Sequence, residues 1–82
     1  EEAMLAEHHN LQTAVLALLV DADVRFLDGS DYYRDIQELA DVQGVTAGDR
    51  AHSLDEYVIG GQYPLLQAYD ISRIGSVSVH SE

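Results

Sequence analysis

Seven consecutive apolar residues at 14–20 (Ala, Val, Leu, Ala, Leu, Leu, Val) constrain this chain more than any other stretch. They sit inside the densest apolar segment of the sequence, residues 3–27, where Met4, His8, Leu11, Val15, Leu18 and Ala22 recur at intervals of three and four. That spacing puts them on one face of a helix, with Glu7, Asn10 and Asp21 mainly on other faces. Because the run is apolar all round, the helix is expected to be covered on most of its circumference, by the rest of the domain or by a partner chain. It is too short to cross a bilayer: a span needs roughly 20 apolar residues, and Asp21, Asp23 and Arg25 end this one at once.

The helix is expected to start near Ala3, since Glu1, Glu2 and Glu7 place negative charge where the helix dipole favours it. It runs either to Leu27 or only to Val20, with residues 24–27 then extended, and Asp28-Gly29 closes it in both cases. Ser30 as N-cap and Asp31 in the first turn open a second helix. Its apolar stripe is Tyr32, Tyr33, Ile36, Leu39 and Ala40, its outward residues are Arg34, Asp35, Glu38 and Asp41, and Gly44 stops it. The short connection predicts an antiparallel helical hairpin.

Residues 46–52 read as a loop. Ser53-x-x-Glu56 has the spacing of a capping box, whereas Tyr57-Val58-Ile59, Gly60-Gly61 and Gln62-Tyr63 spell strand, turn, strand. Pro64 opens a short helix with Leu65, Leu66, Ala68 and Tyr69 as its apolar face, or else lies at a sheet edge. In the tail, Gly75, Val77 and Val79 alternate with Ser76, Ser78 and His80, the period of a half-buried strand. The expected fold is a single α+β domain over residues 1–82, two antiparallel helices packed on a small antiparallel sheet. The alternative is a mostly α fold with a short C-terminal strand.

At 82 residues without a cysteine, the domain has neither a disulfide nor a thiolate metal site to add to a small core, so association with other chains or copies of itself is expected. Fifteen acids against four arginines and no lysine give a formal net charge of -11. Such a field repels nucleic acid and anionic membranes and favours basic protein surfaces, although solubility or adaptation to salt would also produce it. With no secretory, lipidation or transit signal, a cytoplasmic location is expected, and the opening Glu1-Glu2 suggests a processed or trimmed chain.

Residues that could carry chemistry are scattered. Glu7, His8, His9, His52 and His80 are candidate metal ligands, but adjacent helical residues point about 100° apart, so His8 and His9 cannot share an ion, and His-x-x-x-His is missing. Asp21-x-Asp23 opens like a calcium loop but meets Arg25 and Phe26 where an acid and a glycine are needed. No nucleophile elbow occurs, there is no Ser-x-x-Lys, and Gly44-x-x-x-Gly48 lacks the lysine of a phosphate loop. No cofactor and no catalytic residue are therefore expected. Tyr32, Tyr33, Tyr57, Tyr63 and Tyr69 are better candidates, as interface anchors or as plugs of a small core.

The expected function is a non-enzymatic acidic interaction module, a small subunit of a larger assembly. Its partner-binding face would comprise Asp28, Asp31, Tyr32, Asp35, Glu38 and Asp41 on and around the second helix. The alternatives are an acidic nucleic-acid mimic that inhibits a DNA- or RNA-binding protein, and a small metal-binding or hydrolytic domain. Leu18→Asp tests the central helix: an unpaired carboxylate in its core face costs several kcal/mol, against a total near 5 kcal/mol for so small a domain. Circular dichroism should show an unfolded chain, and a cooperative melt of a soluble variant would contradict the expectation.

Overall fold

The first helix, α1 (Glu2–Ala22), contains no glycine or proline and is rich in Ala and Leu, which lose little on entering a helix. The computed structural model describes residues 2–29, 33–58 and 64–80. After α1 come β1 (Tyr33–Ile36), α2 (Leu39–Gln43), β2 (Thr46–Ala47), β3 (His52–Ser53), a 3-10 turn (Leu54–Glu56), β4 (Tyr69–Ile71) and β5 (Val77–Val79). The α+β class expected from the sequence is the one observed. One antiparallel sheet has the order β1-β4-β5, and β2 pairs with β3 in a second. Helix α1 packs on both, touching β5 on one side and β2, β3 and the 3-10 turn on the other.

A Schellman motif ends α1: Asp23 takes a left-handed φ of 55°, its N–H reaches the Val20 carbonyl at 3.1 Å, and the Val24 N–H reaches Leu19 at 3.2 Å. The terminator is thus Asp23, an acid whose short side chain tolerates this conformation, and Asp28-Gly29 lies beyond the helix. Residues 24–28 then tie the two sheets together, with Leu27 N–H donating to the Arg73 carbonyl and Asp28 N–H to that of Thr46, at 2.7 and 2.9 Å.

The buried face of α1 is Leu11, Ala14, Val15, Leu18 and Leu19, with Met4, His8 and Ala22 half-buried above and below, so the inward stripe lies where the spacing places it. Its partners are Leu27, Ile36, Val42, Val45, Ala47, Leu54, Leu65, Tyr69, Ile71 and Val77, which form one continuous core with it. Coverage on most of the circumference is not found. Leu5, Leu16 and Val20 are 66%, 51% and 78% exposed.

The second helix is shorter than expected and begins later. Tyr33 and Ile36 lie on a strand, opposite Ile71 and Tyr69 of β4, and only residues 39–43 are helical. Two residues, Arg34 and Asp35, oppose the single Asp70, which is a β-bulge. Asp35 sits at φ 55° and its N–H, displaced from the ladder, donates to Asp70 Oδ1 at 3.1 Å. The helical hairpin is therefore replaced by a strand followed by one and a half turns of helix.

Residues 64–68 do not form the expected helix: Leu65 is buried, Leu66 exposed, and Tyr69 opens β4. The Ser53–Glu56 box does start a 3-10 turn, with Glu56 Oε2 accepting the Ser53 N–H at 2.9 Å. The C-terminal strand is present, and Ser30, Asp31, Tyr32 and the Ile59–Tyr63 part of the alternative hairpin lie outside the described residues.

Helix α1 also covers the outer edge of β5. Gln12 Nε2 donates to the Gly75 carbonyl at 2.6 Å, Gln12 Oε1 accepts the Val77 N–H at 2.9 Å, and His8 Nε2 donates to the Val77 carbonyl at 2.7 Å. The approach is close enough that the β4–β5 turn needs glycine at position 75. Its φ is +91°, and a Cβ there would lie 2.7 Å from Leu19 Cδ1. Gly75→Ala is expected to lower stability by about 2–4 kcal/mol, from left-handed strain plus overpacking. Urea unfolding checks this, and a midpoint equal to that of the wild type would show that α1 does not press on this turn.

Candidate functional site

An open groove of about 520 Å³ lies between α1 and the 3-10 turn, lined by Asn10, Thr13, Ala14, Ala17, Glu56 and Tyr57. Small side chains on α1 form its floor. Its wall is set by the capping box, which fixes Glu56 and the following Tyr57 beside the helix, with the Tyr57 N–H donating to the Leu54 carbonyl at 2.9 Å.

At one end a polar chain runs Asp21, Tyr57, His52. The Tyr57 hydroxyl donates its one proton to Asp21 Oδ2 at 2.7 Å, so the 3.2 Å contact with His52 Nδ1 requires that nitrogen to carry the hydrogen. The hydrogen bond to Asp21, desolvation and the charges of Asp21 and Glu56 push the phenol up to about 12. A phenol held protonated in this way keeps its proton in the bond to Asp21. Nucleophilic use would need the opposite shift.

A second cluster anchors the start of α1. Glu7 accepts the Leu66 N–H through Oε2 at 2.9 Å and the Tyr69 hydroxyl through Oε1 at 2.8 Å, while the His8 ring tilts against Tyr69. Burial pushes the Tyr69 phenol up, and the Gln67 amide opposes this, but with the Glu7 bond and charge the net result is about 12. On the sheet face, His80 Nδ1 donates to Asp70 Oδ1 at 2.8 Å.

The residues expected to form a partner-binding face do not share one helix. Asp28, in the α1–β1 connection, turns its carboxylate to the β2–β3 loop and accepts the Thr46 hydroxyl, the Asp49 N–H and the Arg50 N–H at 2.8, 3.1 and 2.7 Å. It thereby holds a left-handed turn in which Gly48, Asp49 and Arg50 all have positive φ. Asp35 is the exposed bulge residue, and Glu38 is the N-cap of α2. Asp41 Oδ2 accepts the Gln37 and Glu38 N–H groups at 3.3 and 3.1 Å. Asp31 and Tyr32 lie outside the described residues.

Of the tyrosines, Tyr69 is fully buried, and Tyr33 is half-buried with its hydroxyl on the Asp28 carbonyl. Tyr57 lines the groove, and Tyr63 also lies outside the described residues. The candidate metal ligands are dispersed, and among the described residues no three His, Cys, Asp or Glu side chains are placed to hold an ion. No described helix is long and apolar enough to cross a membrane. Sequence reasoning missed the groove because it joins residues 10–17 to residues 56–57. Only the Ser53–Glu56 box hinted at its wall. No family model, curated protein or solved structure matches the chain.

The site's electrostatics make a pH prediction. Burial raises the Asp28 carboxyl, but bonds from Arg50 N–H, the Thr46 hydroxyl and Asp49 N–H, with the Arg50 charge, outweigh it and the net shift is down. For Asp70, burial is likewise outweighed by His80, the Asp35 N–H and the charges of His80 and Arg34. A carboxyl lowered on folding contributes stability above its unfolded value, near 4, that is lost as pH falls through its native value. Wild-type stability should therefore decline below about pH 4. Asp28→Ala should cost about 1–2 kcal/mol at neutral pH, through unmet loop amides that water partly satisfies, and should flatten the acid decline. Urea midpoints across pH check both, and an unchanged slope would remove the role given to Asp28.

Proposed function

We propose that this chain is a non-enzymatic, acidic protein–protein interaction module that docks on a basic protein surface as part of a larger assembly. The observation that carries this reading is the pairing of a -11 charge with large apolar side chains left in solvent, among them Leu5, Leu16, Val20, Phe26 and Ile74. A charge of that size keeps copies of the chain apart, and exposed apolar groups favour a partner able to cover them. Long-range attraction then accelerates the encounter, and the apolar contact slows dissociation.

The placement of the acids supports a surface of mixed use. Glu7, Asp28, Asp41, Glu56 and Asp70 accept backbone hydrogen bonds within the fold. Glu2, Asp23, Asp35, Glu38 and Asp49 are exposed and set the outer field.

The test begins with affinity capture from source lysate and mass spectrometry, followed by association kinetics with the captured protein. Its on-rate should fall steeply as salt shortens the Debye length from about 10 Å to 3 Å. Neutralising exposed acids in ways the backbone accepts, Asp35→Asn at a positive φ and Glu38→Ser at an N-cap, should slow association and leave the melting curve in place. On-rates independent of both salt and these substitutions would reject the reading.

A further inference from the structure

The outer face of α1 leaves apolar side chains in solvent on a strongly acidic molecule. Leu5, Leu16 and Val20 stand out from it, with Ala6, Thr13 and Ala17 exposed alongside. From Leu5 to Val20 the face runs about 22 Å, four turns, at 1.5 Å per residue. Within residues 8–20 the chain carries no Asp, Glu, Lys or Arg. Carboxylates stand around this stretch: Glu2 before it, Asp21 after it, and Glu56 along the wall of the adjoining groove. The floor residues Ala14 and Ala17 are small, which lets a second helix approach closely, and Asn10, Thr13 and Tyr57 offer polar atoms beside it.

Resting on the interaction-module reading above, we infer that the outer face of α1 and the adjoining groove form a docking surface for an amphipathic helix of a basic partner protein. The partner's apolar stripe would cover Leu5, Leu16 and Val20, and its flanking Arg or Lys side chains would meet Glu56, Asp21 and Glu2. Charge chooses this occupant over a second copy. Two chains of -11 brought face to face repel, whereas a basic helix gains attraction at the carboxylates and apolar burial between them.

The test uses two synthetic peptides as long as α1, 21 residues, with identical Leu, Ala and Arg content. One gathers its leucines on a single helical face and the other scatters them. Binding is followed by fluorescence anisotropy and mapped by amide chemical shifts on the full chain. The patterned peptide should bind about tenfold or more tighter than the scattered one, with shifts centred on residues 10–20 and 56–57. Leu16→Glu/Val20→Glu should abolish that preference while the urea midpoint stays at the wild-type value, both positions being exposed.

Equal binding of the two peptides, or a preference that survives Leu16→Glu/Val20→Glu, would overturn the inference. In that event the lysate partner of the preceding test would still bind in a salt-dependent manner if the general reading holds, so the two failures are distinguishable. A wild-type dimer in sedimentation equilibrium that Leu16→Glu dissociates would also overturn it, by assigning the face to a second copy.

Discussion

The fold depends on the way α1 grips the edge of β5. Every antiparallel sheet ends in a row of unpaired backbone groups, and in a domain this small the helix that supplies the apolar stripe must also answer them. Gln12 and His8 do so at the Gly75 and Val77 backbone, on the same helix as the buried side chains of Leu11 and Val15. Once that register is set, the opposite flank of the same helix is fixed against β2, β3 and the 3-10 turn, so both sheets take their position from one element. Residues 24–28 close the arrangement by bonding to Arg73 on one side and Thr46 on the other.

Acids do in this chain much of what glycine, asparagine and serine do in others. Asp23 ends α1 in a left-handed conformation, Asp28 holds a left-handed loop, Asp41 caps the start of α2, and Glu56 closes the capping box. The carboxylates of Asp28, Asp41 and Glu56 face backbone N–H groups, where negative charge is favoured, so part of a large net charge is absorbed into local structure without mutual repulsion. The consequence for function is that a census of acids in the sequence overstates the acidic surface. Asp28 and Asp41 are turned inward to the backbone, whereas Glu2, Asp35 and Glu38 are exposed.

The same bookkeeping explains which parts of the fold were legible. The inner stripe of α1, the Ser53–Glu56 turn and the C-terminal strand follow from local pattern, because each is a regular element whose period or cap is intact. Residues 33–36 misled for a definite reason. In an unbroken strand, side chains on one face recur every second residue, but the bulge at Arg34 and Asp35 inserts one more. Tyr33 and Ile36 then face Ile71 and Tyr69 although they are three apart, which is the spacing of a helix. The bulge itself is held by Asp70, distant in sequence, so nothing local announces it. The groove was illegible on similar grounds, since its wall and floor meet only in three dimensions. The exposed outer face of α1, by contrast, was written in the same apolar run that placed the helix, and only the fold shows which half of that run remains uncovered.

If α1 holds β5 as described, the Val77 amide is bonded to Gln12 Oε1 at a sheet edge and lies under the helix. Native-state hydrogen exchange measures this directly. The account predicts that the Val77 amide exchanges only through global unfolding, with the same free energy as the core amides of α1, and that Gln12→Ala drops it to local opening while the α1 core amides remain protected. Rapid exchange of Val77 in the wild-type protein, at the rate of an open strand edge, would contradict it.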